Sequence, residues 1–263
     1  MRRKNSQSEM FANHNSEAEQ ERVMKEDPVE HAVRMVESEK PPVFIRPAKR
    51  ARWTVNSKHK QRVLILEDVS TSMKGQKGIQ AHEGTQKLIE PLADQENHDG
   101  FRVSVIHFND DAKVIHPWMS AAALSGCLAP LAPGGSTNIE AAFETALQML
   151  EEAQKQDQSQ TEFIWLRHVL FIYSDGQITQ GGDPRSVANE VKKLADVVTI
   201  AVGDDADEAL LLDLATSPEH AYKVSDTVSL RAFLADAGPT LVQTYQQGQD
   251  ATYAMTQLQV QSA

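Results

Sequence analysis

Five oxygen-bearing side chains, spread over three short stretches, have the types and the setting to share one hard cation. They are Asp68, Ser70 and Ser72 in Asp68-Val69-Ser70-Thr71-Ser72, Thr137 in Pro133-Gly134-Gly135-Ser136-Thr137-Asn138, and Asp175 in Ser174-Asp175-Gly176. The donors are carboxylates and hydroxyls, with neither thiolate nor imidazole among them. Oxygen-only sets of this kind select Mg2+ first, with Mn2+ or Ca2+ as alternatives. Two carboxylates balance the charge of one Mg2+. The neutral hydroxyls leave the ion an electrostatic demand that an external carboxylate can meet, where an all-carboxylate cage would repel one. Asp-x-Ser-x-Ser by itself is a weak signal, because Asp and Ser favour turns for their own backbone hydrogen bonds. Thr137 and Asp175 in matching context are what raise it above that.

The elements that must position these residues follow from hydrophobic periodicity. Strands are expected at Val63–Glu67, Phe101–Phe108, Ala112–His116, His168–Tyr173, Val197–Val202 and Ala221–Val224. Helices are expected at Ile79–Leu92, Ser120–Leu128, Asn138–Ala153, Pro184–Ala195, Asp207–Ala215 and Ser229 to about Gln246. The three residues Asn109-Asp110-Asp111 are short enough to join Phe101–Phe108 and Ala112–His116 as an antiparallel hairpin. Strand and helix otherwise alternate, and the all-apolar strands suit parallel pairing in a sheet interior. The expected class is α/β: a doubly wound, mostly parallel sheet with one antiparallel edge strand and helices on both faces. In such a sheet ligands collect at the carboxyl ends of the strands, where strand order reverses. All three oxygen-bearing stretches fall at strand or helix ends.

Residues 1–57 read as a largely disordered, basic extension, too poor in apolar residues to offset their ordering entropy, with a short helix over 28–38 and an extended strip at Val43-Phe44-Ile45. A domain over 58–249 and a C-terminal tail over 250–263 complete the division. The first 60 residues carry 13 Lys and Arg against 9 Asp and Glu, and the remainder 13 against 28, within a net charge of −11. The acidic body argues against nucleic acid as a partner. Apolar runs fall far short of the roughly 20 residues that a membrane span needs, and no secretory signal opens the chain, so a cytoplasmic location is expected. Cys127, the single cysteine, is expected as a small buried residue on a helix. His107 and His116 are assigned no role, Asp204-Asp205-Ala206-Asp207 reads as a helix start, and Gly181-Gly182-Asp183-Pro184 as a turn.

With Asp68, Ser70, Ser72, Thr137 and Asp175 in this order and strand context, the sequence resembles the von Willebrand factor type A (VWA) domain and its metal-ion-dependent adhesion site. The resemblance covers about Arg62 to Gln247 and is supported by Phe108–Pro117 and Leu131–Leu147. It implies a Rossmann-like fold in which Ser70 and Ser72 bind Mg2+ directly, Thr137 directly or through water, and Asp68 and Asp175 mostly through water. Glu67 departs from it, standing where the family usually has an apolar residue; a buried partner and an influence on the site are both open. The implied function is a non-enzymatic, metal-dependent protein-interaction module whose ion bridges to an Asp or Glu of a protein partner. The chain further resembles stand-alone intracellular bacterial versions associated with tellurite-resistance and stress loci, alongside AAA+ ATPases, kinases or phosphatases. Two alternatives stand beside this reading. One is a metal-dependent phosphohydrolase with Asp68 as nucleophile, which would need a second acid where Ser70 stands; the other is a scaffold docking through the N-terminal extension.

Overall fold

The computed structural model describes residues 58–175 and 177–259. The extension over 1–57, its helix at 28–38 and the strip at Val43-Phe44-Ile45 lie outside the described residues. Strand β1 (His59–Asp68) leads through a turn into helix α1 (Gln76–Leu92). Strands β2 (Phe101–Phe108) and β3 (Ala112–Ser120) form the antiparallel hairpin, followed by the single turn α2 (Ala121–Leu124) and the long helix α3 (Ile139–Ser159). After the two-residue β4 (Ile164–Trp165) come β5 (His168–Ser174), α4 (Arg185–Leu194), β6 (Ala195–Val202), α5 (Glu208–Leu214) and β7 (Ala221–Val224). Helix α6 (Thr227–Gln247) and the short α7 (Thr252–Met255) follow.

The seven strands form one sheet in the order β3-β2-β1-β5-β6-β7, with β4 beside the start of β1. Every pairing is parallel except β2 with β3, so the hairpin supplies the antiparallel edge. Strand order turns at β1, which has β2 on one side and β5 on the other. The period-two alternation of side chains sorts β1 between two cores. Val63 and Ile65 pack with the buried faces of α1 and α6, and Leu64 and Leu66 pack with those of α3, α4 and α5. Both faces are therefore covered, as a parallel sheet requires.

Several boundaries depart from the expectations. Helix α2 stops at Leu124 because Gly126 takes a left-handed turn (φ 75°), and Cys127 consequently lies outside it and is exposed. Strand β3 continues past His116 to Ser120, and α3 runs to Ser159 on polar residues alone. In the segment assigned as a C-terminal tail, Ala251 and Met255 are buried in the α1/α6 core.

Helices α1 and α6 run side by side, joined by hydrogen bonds from Thr227 Oγ1 to Gln80 Oε1 (2.6 Å) and from Arg231 Nη1 to Glu83 Oε2 (2.6 Å). Glycines permit this approach: a Cβ at Gly238 would stand 2.6 Å from both Leu88 O and Pro91 Cγ, and one at Gly84 would be 3.1 Å from Arg231 Cα. Backbone cannot yield as a side chain can. Gly238→Val is expected to destabilise the domain by about 2 kcal/mol through overpacking, read from the urea midpoint. An unchanged midpoint would show that the helices separate without cost.

Candidate metal centre

The site grows from the end of β1. Asp68, 1% exposed, ends the strand, and its Oδ1 accepts the Ser70 N–H at 2.8 Å, turning the chain out of the sheet. A single 3-10 turn (Thr71–Met73) follows, then Gly75 with φ 76° before α1 begins. The turn leaves the hydroxyls of Ser70 and Ser72 facing one another at 2.9 Å.

Parallel pairing of β1 with β5 sets Glu67 opposite Tyr173, which puts Ser174 and Asp175 beside Asp68. The Ser174 hydroxyl donates to Asp68 Oδ2 at 2.5 Å. Ser174 has no role in the sequence reading; its position one residue before Asp175 is the signal that could have found it. Asp175 is 3% exposed and accepts the Lys77 ammonium at Oδ2 (2.8 Å), while its Oδ1 is buried without a hydrogen-bond partner. Burial pushes the Asp68 carboxyl above its ordinary range and the neighbouring Asp175 adds to this, against the hydrogen bonds from Ser174 and Ser70.

The third stretch is stitched to the first by its backbone. Thr71 donates to Gly135 O through both its N–H (3.1 Å) and its hydroxyl (2.8 Å), and Gly134 N–H donates to Val69 O (2.8 Å). Gly135 has φ 77°, and any Cβ there would strike the Asp110 carboxylate at 2.4 Å, which itself accepts Ser136 N–H at 2.7 Å. Thr137, 4% exposed, is tied to the segment beyond Asp175: its N–H donates to Thr179 Oγ1 (2.9 Å) and its carbonyl accepts Thr179 N–H (3.1 Å). Asn138 caps α3 by accepting Ala141 N–H at 3.1 Å, as its type suggests. Hydrogen bonds thus join Asp68, Ser70 and Ser72 in one turn, Asp175 acts electrostatically on Asp68, and backbone contacts hold the Thr137 loop against that turn.

Glu67, one residue earlier, points to the opposite face and has buried partners. Its Oε2 lies 2.8 Å from His107 Nε2 and 3.6 Å from His82 Nδ1, and its Oε1 accepts the Tyr173 hydroxyl at 2.7 Å. His107, assigned no role from sequence, therefore has one. Among the described residues no group of three or more His, Cys, Asp and Glu is arranged to hold a metal. An ion between the three stretches would rely on two carboxylates supplemented by hydroxyls, a hard-cation set. The orphaned, buried Asp175 Oδ1 fits that requirement. A cleft of about 540 Å³ near Asp157, Trp165, Arg167 and His168 lies at the opposite ends of the strands, where Arg167 pairs with Asp196 and Asp157 with Arg62. Asp207 caps α5 through Leu210 N–H at 3.0 Å, in keeping with a helix start at the acidic run 204–207.

Residues 63–236 match the von Willebrand factor type A domain family. Among solved structures, proximal thread matrix protein 1 (PTMP1) from the mussel byssus is similar at 20% identity with a TM-score of 0.53, over 70% of this chain and 46% of that one. The same protein has a structure with a zinc-occupied MIDAS motif, similar at 18% identity with a TM-score of 0.53, over 70% of this chain and 46% of that one. A von Willebrand factor type A protein from Catenulispora acidiphila is similar at 18% identity with a TM-score of 0.54, over 69% of this chain and 43% of that one. The chain spans less than half the length of these structures, and the likeness is one of fold. No curated protein sequence matches the chain.

Proposed function

The chain belongs to the von Willebrand factor type A family, and from that premise we propose that it is a divalent-metal-dependent protein-binding module without enzymatic activity. Asp68, Ser70, Ser72, Thr137 and Asp175 would hold Mg2+, with Mn2+ or Ca2+ as alternatives. When bound, the ion supplies an open electrophilic position for the carboxylate of a partner's Asp or Glu. The observation that carries this reading is Asp175 Oδ1, a buried carboxylate oxygen without a hydrogen-bond partner at the end of β5, the strand paired with the one that ends in Asp68. A buried anionic oxygen left unmatched is costly, and a cation removes that cost. The zinc reported at the MIDAS motif of the mussel protein agrees with a metal-dependent role for the fold.

The chain's own residues prepare the site. Ser70 N–H and the Ser174 hydroxyl each donate to one oxygen of Asp68 and fix its orientation. The phosphohydrolase alternative lacks its second acid, because Ser70 stands two residues after Asp68. We place the module in a bacterial stress-response or regulatory complex in the cytoplasm, with AAA+ ATPases, kinases or phosphatases as partner classes, on the resemblance alone. Among the described residues no helix is long and apolar enough to cross a membrane.

The test is calorimetric titration of the full chain with Mg2+, followed by retention on immobilised peptides bearing Asp or, as control, Asn. Asp175→Ala is expected to weaken Mg2+ binding by roughly 10- to 100-fold, the range seen when supporting metal contacts are lost. Retention on the Asp peptide should disappear in EDTA. Undiminished retention without metal would overturn the reading.

A further inference from the structure

Lys77 reaches the candidate centre from the second residue of α1, a place where its charge opposes the helix dipole and no acidic residue in the first turn offsets it. Its ammonium instead donates to Asp175 Oδ2 at 2.8 Å. The two ends of this pair differ sharply: the Lys77 side chain is 53% exposed and that of Asp175 only 2%. Asp175 cannot leave, and Lys77 can.

We infer that Lys77 holds the cation's place in the metal-free protein and has to be displaced when a divalent ion enters, so that it sets the affinity of the centre. The inference rests on the metal-dependent reading above. Its physical basis is charge balance. Asp68 and Asp175 are both buried at the ends of the paired strands β1 and β5, and Ser174 beside Asp175 donates to Asp68, so without a cation the site holds two poorly solvated carboxylates. Lys77 supplies one positive charge at that point. An incoming divalent ion would supply two, and the two cations would repel each other at the shared carboxylate. The ammonium is a strongly hydrated group on a flexible stem, so its return to water is inexpensive. The wild-type ion affinity is thus the intrinsic affinity of the oxygen set reduced by the competition of Lys77.

Calorimetry with Mg2+ on the full chain tests this with Lys77→Met, which keeps the stem and helix propensity, and Lys77→Arg, which keeps the charge. Lys77→Met is expected to bind Mg2+ roughly tenfold more tightly than wild type, an amount between that of an exposed and a buried ion pair, and Lys77→Arg to stay with the wild type. Thermal melts give a second readout. In EDTA Lys77→Met should melt below wild type, because Asp175 has lost its counter-charge, and saturating Mg2+ should close the gap. Equal or weaker Mg2+ binding by Lys77→Met, beside measurable wild-type binding, overturns the Lys77 inference alone. Failure of wild type and both variants to take up Mg2+ or Mn2+ at millimolar concentrations overturns the metal reading and this inference with it.

Discussion

Glu67→Ala is expected to destabilise the domain by roughly 3–5 kcal/mol, the cost of a cavity together with buried polar partners left unmatched. The side chain is fully buried at the end of β1, yet accepts the Tyr173 hydroxyl at Oε1 and faces His107 and His82 at Oε2. Burial alone would raise its carboxyl pKa, but hydrogen bonds and charge from His107 and His82 outweigh it and hold the group at about 2. Tyr173, whose hydroxyl also lies 3.2 Å from Thr85, has its phenol pushed well above the ordinary range, first by burial and then by Glu67. Alanine would leave the Tyr173 hydroxyl and the His107 ring facing a void, so the loss combines a cavity with unmatched polar groups. Glu67→Gln keeps the volume and should cost less. Urea denaturation at neutral pH measures both, and a loss below about 1 kcal/mol for alanine would mean that the histidines find other partners.

Acid should weaken the fold in two stages, the first governed by His168. Burial lowers its pKa from the ordinary 6.5 to about 4; Asp157 opposes the shift and Arg62 and Arg167 add to it. A folded protein that keeps this ring neutral competes with an unfolded chain that protonates it, so the unfolded state binds more protons as the pH falls below 6.5. The contribution is therefore complete above 6.5 and is lost as the pH falls toward about 4. At about 1.4 kcal/mol per pH unit the interval is worth roughly 3 kcal/mol. Glu67 has the same sign in a lower window: its stabilisation is present above 4.5 and is lost as the pH falls toward about 2. His168→Gln should flatten the stability curve between pH 6.5 and 4 and leave the lower stage unchanged. A wild-type curve that is flat across the upper window would contradict this assignment.

The fold was legible wherever one physical signal dominated. Val63–Leu66 and Val169–Tyr173 are apolar without interruption because helices cover both faces of the central strands. The hairpin of β2 and β3 was visible in a three-residue connection. The beginning of β1 was not, since His59, Lys60, Gln61 and Arg62 look like linker residues; Gln61 is nevertheless fully buried and Arg62 is 3% exposed. Long polar stems account for part of this, as Lys60 Nζ lies 5.0 Å from the centre of the Phe163 ring. β4 has two residues and no periodicity to detect. Asp68, Ser70, Ser72, Thr137 and Asp175 were proposed from oxygen chemistry and order along the chain. Lys77 was not, because nothing in its sequence neighbourhood marks a lysine that answers an acid 98 positions away. For Glu67 a buried partner was one of two open readings, but His82 and His107 could not be named because they lie on other elements.

The Arg62 guanidinium lies 4.4 Å from the ring centre of Trp165 and 5.0 Å from that of Trp118, and its Nη2 meets Asp157 at 2.5 Å. This stack stands at the strand starts, with the length of β1 between it and Asp68. The indole emission of Trp118 and Trp165 is therefore an optical gauge of global unfolding and a poor one for events at the far ends of the strands. A fluorophore attached near α1 would have to follow those.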